Sequence, residues 1–207
     1  MQRMSRDPTF APPFASVATI SAAQMSELPI QRYEGPVRIV GGQPDLEHAL
    51  HDILEESVVG FDTETRPAFR PGESYLPFLV QFATASAVYL FQAQQQDLFG
   101  AMREIISSGN VIKVGVSVTD DLRALRKLFE FDESSVVDLG QVAKRHGLKQ
   151  TGVRNLAGIF LGVRITKGAK TTNWAARRLT PRQITYAATD AWACRELYLR
   201  FKELKVV

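Results

Sequence analysis

Cysteine is nearly absent. Cys194 stands alone in 207 residues, which excludes an internal disulfide and any cysteine-built metal cluster. Long apolar runs are missing too. One long uncharged stretch, Pro8 to Ser26, is interrupted by Pro8, Pro12 and Pro13 and rich in Ser, Thr and Ala, so it makes a poor membrane helix. It also fails as a secretory signal, because Asp7 spoils the basic start and no compact apolar block follows. His48, His51 and His146 form no catalytic set, since the first two belong to an expected surface helix and the third has no acid nearby in sequence. Internal repeats and low-complexity tracts are absent. What is present, 45% hydrophobic and 23% charged residues, is the balance of a soluble, cytoplasmic protein with one sizeable core.

Acid is missing from one long region. Leu139 to Thr189 holds ten Lys and Arg and no carboxylate, whereas Met1 to Asp138 holds 11 basic residues against 19 acidic ones. The overall charge of +3 hides this asymmetry. A solvated basic face would explain it, and so would a polyanionic partner. Fifty-one residues without one acid favour the second.

Residues 1–35 lack periodicity and carry Pro8, Pro12, Pro13, Pro29 and Gly35, so they read as a flexible N-terminal extension. From Pro36 onward strands and helices alternate, and residues 36–207 form the expected single domain. Val37 to Val40 predicts a strand, and Pro44 opens a helix carrying Leu46, Ala49, Leu50, Ile53 and Leu54. Val58 to Thr63 is the next strand. Phe78 to Thr84 and Val88 to Phe91 form a hairpin about Ala85-Ser86. A helix over Asp97 to Ser107 leads into an apolar strand, Val111 to Val116. The helix that follows presents Leu122, Leu125, Leu128 and Phe129 on one face, and Val136-Val137 is extended. The expected architecture is α/β, a mixed sheet flanked by helices.

Several carboxylates sit where ordinary packing would not put them. Asp62 and Glu64 end a strand and point the same way, about 6–7 Å apart. Such a pair repels unless a cation or a proton intervenes, and hard divalent cations take oxygen ligands. The alternative is a strand end frayed into solvent. A second acid, Asp190, lies on a helix announced by Thr180, Pro181 and Gln183, beside the stripe Ala187, Ala191, Cys194, Tyr198 and Phe201. A carboxylate among alanines needs a partner. Tyr186, one turn earlier, can offer a phenol to whatever Asp190 holds, unless both are ordinary surface and packing residues. Asp120 and Asp121 start a helix after a buried strand. Either could simply favour the positive helix end, yet strand-to-helix junctions are also where open α/β sheets build sites. Asp138 reads as a helix cap, and Cys194 as core.

Three segments carry a resemblance: Val59-Gly60-Phe61-Asp62-Thr63-Glu64-Thr65, Lys113 to Asp121, and Tyr186-Ala187-Ala188-Thr189-Asp190-Ala191 with Asn173-Trp174 and Leu179-Thr180 before it. In order and spacing the chain resembles the DEDD superfamily of 3′–5′ exonucleases, in the tyrosine-containing subgroup of ribonuclease D and the Werner-syndrome exonuclease domain. The similarity extends from about Pro36 to Phe201. It implies an RNase H-like fold, two divalent cations (Mg²⁺ or Mn²⁺), and release of nucleoside 5′-monophosphates from the 3′ end of a nucleic acid, single-stranded or duplex. It implies that Asp62, Glu64, Asp121 and Asp190 bind the metals and that Tyr186 orients the attacking water. Asp121 rather than Asp120 matches, because the family places its acid six residues after the glycine, here Gly115.

Lys167 and Lys170, on the approach to Trp174, are the leading candidate phosphate contacts. Thr63, Thr65 and Trp174 join them as candidate nucleic-acid contacts, although a Trp beside a core helix also serves as packing. Arg66, Arg70, Arg177 and Arg178 rank lower. Ribonuclease D carries helical domains after its catalytic one, while this sequence stops at Val207, so the choice between DNA and RNA stays open. Two rivals remain: an inactive relative that only binds nucleic acid, and a haloacid-dehalogenase-type phosphatase. For the latter, Asp62-Thr63-Glu64-Thr65 imitates a D-x-D-x-T motif but has Glu64 at the second acid.

Overall fold

A computed structural model describes residues 19–207 other than 69, 71 and 170. Six strands form one sheet in the order β1-β4-β3-β2-β5-β6. They are β1 (Val37–Val40), β2 (Val58–Thr65), β3 (Pro77–Ala83), β4 (Val88–Gln92), β5 (Ile112–Gly115) and β6 (Val136–Asp138). Only β3 runs against the others, pairing antiparallel with β2 and β4. The remaining pairs are parallel, so the sheet is mixed as expected.

Helices cover both faces. On one side α2 (Gln43–Leu54), α3 (Phe99–Ser107) and α4 (Val118–Leu125) pack on the apolar face with Phe61, Phe82 and Phe91. On the other lies α7 (Pro181–Glu203), the 23-residue helix that closes the domain, with α5 (Leu139–Arg145) and α6 (Val153–Leu156) beside it. Its start matches the sequence signals: Thr180 accepts from the Gln183 N–H, and Gln183 reaches back to the Thr180 N–H, so two orphan donors are satisfied.

Two expectations need correction. The helix carrying Leu122 and Leu125 does not reach Leu128 and Phe129. It tightens after Leu125, where the Lys127 and Leu128 N–H groups bond three residues back, to Ala124 and Leu125. Phe129 still reaches the core and stacks on Phe99 at 4.8 Å. The strand starting at Val58 is longer than expected, because it continues to Thr65. Asp62 and Glu64 therefore sit inside the ladder, opposite Gln81 and Leu79 of β3, and do not fray.

The first 18 residues of the N-terminal extension lie outside the described residues. The part that follows is attached to the domain. It includes a short helix, α1 (Ala22–Glu27). The Ile20 N–H donates to Gln150, and the Tyr33 N–H donates to Thr189 on α7. Ile30 also forms a parallel bridge with Arg164.

Candidate active site

Strand β2 and helix α7 build the site between them. Alternation along β2 sends Val59 and Phe61 to one face, and Gly60, Asp62 and Glu64 to the other, beneath α7. Gly60 is what lets the helix come down. A Cβ there would lie 1.9 Å from the Ala191 carbonyl oxygen, a contact with rigid backbone that no rotamer could relieve. Over this part of the strand the helix packs Ala187, Ala188 and Ala191 against the sheet. Small residues on both sides thus bring Asp190 over Asp62.

Ligand oxygens of Asp62, Glu64 and Asp190 lie within 4.8 Å of one another. Two oxygens on one divalent cation are separated by at most about twice a 2.0–2.6 Å coordination distance, so the trio matches the span of a shared metal. Glu64 and Asp190 are buried, at 7% and 5% exposure. The Asp62 carboxyl is pushed well above the usual carboxylate range, first by burial, then by the charges of Asp121, Glu64 and Asp190. Three acids crowded together hold protons or a cation, and all are oxygen donors suited to a hard divalent ion.

Asp121 stands beside this trio, not within it. Its carboxylate accepts a 2.6 Å hydrogen bond from the Thr63 hydroxyl, and burial pushes its pKa up to about 7 against that bond. Asp120 points outward, paired with Arg123 at 2.6 Å. The two neighbouring acids thus have different surroundings, Asp121 held by Thr63 and Asp120 exposed beside Arg123. Asp138 caps α5, accepting from the Gln141 N–H.

Tyr186 hydrogen-bonds to Asp190, and burial followed by the neighbouring carboxylates raises its phenol further above the ordinary value of 10. In the metal-free protein the phenol is therefore held in its protonated form at neutral pH, able to donate and to position. Cys194 is buried on α7, and desolvation together with the same acids keeps its thiol protonated.

Asp62, Glu64, Asp190, Tyr186 and Cys194 line a cavity of about 450 Å³ together with Lys167, while Asp121 does not line it. Of the expected nucleic-acid contacts, Thr63 lines it but spends its hydroxyl on Asp121. Thr65 ends β2 and does not line the cavity, and Lys170 lies outside the described residues. Trp174 is buried, at 2% exposure, with its ring 6.1 Å from that of Tyr186. It has no open face for a base and packs behind the tyrosine. Arg66, exposed, lies over the Tyr75 ring, and Arg70, Arg177 and Arg178 do not line the cavity. Arg154 and Asn155 do, although nothing in their spacing singled them out. Arg154 donates to the Ile165 carbonyl and so fixes the segment that presents Lys167.

A family described as 3′–5′ exonuclease matches residues 37–204. The chain belongs to the 3′–5′ exonuclease family. Ribonuclease D of Haemophilus influenzae is 31% identical over 164 residues, which cover 78% of this chain and 40% of that protein. The bifunctional 3′–5′ exonuclease/ATP-dependent helicase WRN of Mus musculus is 30% identical over 188 residues, 86% of this chain and 13% of that one. The chain thus spans less than half the length of either relative. Among solved structures, the EXO domain of Aedes aegypti Nibbler matches with a TM-score of 0.73 at 23% identity, covering 85% of this chain and 91% of that one. RNase D of Escherichia coli matches at 0.68 and 21% identity, over 80% and 45%. No described helix is long and apolar enough to cross a membrane.

Proposed function

We propose that the protein is a metal-dependent 3′–5′ exonuclease that hydrolyses phosphodiester bonds at the 3′ end of DNA or RNA and releases nucleoside 5′-monophosphates. The observation that carries this reading is the convergence of Asp62, Glu64 and Asp190 beneath α7 in an open cavity. Family membership supports the reaction class, and the acid-free stretch from Leu139 to Thr189 supports a polyanionic substrate.

Phosphodiester hydrolysis must stabilise an attacking hydroxide and a leaving 3′ oxygen at once, and a pair of bound divalent cations supplies that stabilisation. Asp62, Glu64 and Asp190 would hold them, with Asp121 as the fourth carboxylate. Thr63 keeps Asp121 from swinging out to solvent. Tyr186, locked in its protonated form and braced by Trp174, positions a water through its phenol oxygen while its O–H is given to Asp190. Lys167 attracts the phosphates toward the acids. An inactive binding relative would be free to lose part of the acid set, whereas all four acids and Tyr186 are present in this sequence.

The test is digestion of 5′-labelled DNA and RNA oligonucleotides with added Mn²⁺, with Asp62→Asn as control. The expected result is a ladder shortening from the 3′ end, absent in the variant. Intact oligonucleotides after incubation with folded, metal-supplied protein would overturn the reading.

A further inference from the structure

A second cavity, about 540 Å³ in volume, adjoins the first and shares one wall with it, Tyr186. The segment between them alternates: Lys167 faces the acidic cavity, while Thr166 and Gly168 face the second. The character of the two is opposite. Asp62, Glu64 and Asp190 line the first. The lining of the second contains Arg32 and Arg182, with threonine hydroxyls from Thr166 and Thr185, and no carboxylate. Neither arginine belongs to any ion pair among the described residues. Arg182 also sits in the first turn of α7, where the helix end adds positive potential.

The outer wall comes from outside the region that matches the family. Gln31 and Arg32 precede residue 37, where that match begins. They are nonetheless held by backbone bonds: the Gln31 N–H donates to the Arg164 carbonyl at 3.1 Å, and the Arg164 N–H donates to the Pro29 carbonyl at 2.8 Å. Next along the chain, the Tyr33 N–H donates to the Thr189 hydroxyl on α7. Before the pair, α1 rests its Met25 side chain over Gly158, where a Cβ would come within 2.7 Å of the methyl carbon. Arg32 is therefore presented by an anchored segment, and with Arg182 it lines a space that holds no carboxylate.

We propose that this second cavity binds the phosphodiester backbone of the nucleic-acid strand upstream of its 3′-terminal nucleotide, with Arg32 and Arg182 as the phosphate contacts. The site rests on the exonuclease reading for its geometry: the terminal nucleotide occupies the acidic cavity, and the strand passes Tyr186 and Lys167 into the basic one. Phosphodiester anions fit because they stay charged at all physiological pH and accept the paired N–H groups of a guanidinium. Residues 29–33 would then set how much strand beyond the scissile bond contributes to binding.

The experiment compares wild-type protein with an Arg32→Ala, Arg182→Ala double variant, full chain and Mn²⁺-supplied, on two substrates. A thymidine 5′-monophosphate p-nitrophenyl ester reaches only the acidic cavity, whereas a 12-nucleotide strand spans both. The double change is expected to lower kcat/KM for the 12-mer about tenfold while altering ester hydrolysis less than twofold. It is also expected to flatten the salt dependence of 12-mer binding, followed by fluorescence anisotropy, by about 0.7 per lost contact in log K against log [salt]. Equal losses on both substrates, or an unchanged salt slope, would overturn the proposal. If wild-type protein cleaves neither substrate, the exonuclease reading falls, and the anisotropy slopes still decide whether the arginines bind the strand.

Discussion

On the face of the sheet covered by α2, α3 and α4, β2 contributes Val59 and Phe61, β3 contributes Val80 and Phe82, and β4 contributes Tyr89 and Phe91. Phe82 meets both Phe61 and Phe91 with ring centroids 5.6 Å apart. On the face covered by α7, the same β2 contributes Gly60, Asp62 and Glu64, and α7 answers with alanines and Asp190. Gln81, directly opposite Asp62, is wholly buried there, and neither end of its amide has a hydrogen-bond partner among the described residues. The first face buries apolar area and stabilises. The second also buries apolar side chains, Leu79, Leu90, Leu197 and Phe201 among them, but adds like charges and an unsatisfied amide, each of which costs free energy. One strand with a two-residue alternation serves both, which is why a site of mutually repelling acids can exist in a stable domain.

The largest expected contrast comes from the acids. Asp62→Asn or Asp190→Asn should lower kcat by on the order of 10³ or more. Metal-free thermal stability should stay level or rise, since one repelling charge is gone. A melting temperature well below wild type would blur the distinction between the faces. On the other face, Phe82→Ala should cost about 3–5 kcal/mol in denaturant unfolding through the cavity it leaves. The folded fraction should keep its rate per molecule. Gly60→Ala joins the two faces. Its methyl must push α7 away from β2, with an expected cost of about 1–3 kcal/mol and, unlike Phe82→Ala, a loss of turnover in the folded fraction as well. Full turnover in folded Gly60→Ala protein would mean that the close approach of helix and strand is not what assembles the site.

The pH dependence has a definite sign. The folded protein holds a proton on Asp62 and, with a pKa of about 7, on Asp121 more tightly than the unfolded chain does. Between about pH 4 and pH 7 the native state therefore binds more protons, and metal-free stability falls as pH rises. Melting temperatures should decline over that window, and added Mn²⁺ should restore most of the loss at pH 7.5 and little at pH 5. The smallest expected effect is that of Tyr186→Phe, about tenfold to a hundredfold in kcat with KM nearly unchanged. A rise in KM alone would assign Tyr186 to binding instead of water positioning.

Much of this was legible in the sequence because it rests on local rules. The alternation of β2, the capping box at Thr180 and Gln183, and the place of Asp190 beside the α7 stripe all follow from spacing. What was hidden depends on contacts between distant segments. Gly60 looks like any strand glycine until Ala191 lies over it. Gln81 is a polar residue in an apolar run whose partner strand decides what it faces. Trp174 gives no sign by itself that it packs behind Tyr186, and Arg154 none that it holds Ile165. The attachment of residues 29–33 was hidden because it runs through backbone groups bonded to Arg164, Pro29 and the Thr189 hydroxyl, which leave no side-chain pattern.

The most direct measurement is a Mn²⁺ titration of the wild-type protein and of Asp190→Asn, followed by the loss of the free-ion electron paramagnetic resonance signal at pH 7.5. The expected result is two ions bound per wild-type chain, with binding weakened at least tenfold in the variant and a parallel loss of exonuclease rate. Binding that is absent in the wild type, or undiminished in the variant, would contradict the assignment of the buried acids beneath α7 as the metal-binding centre.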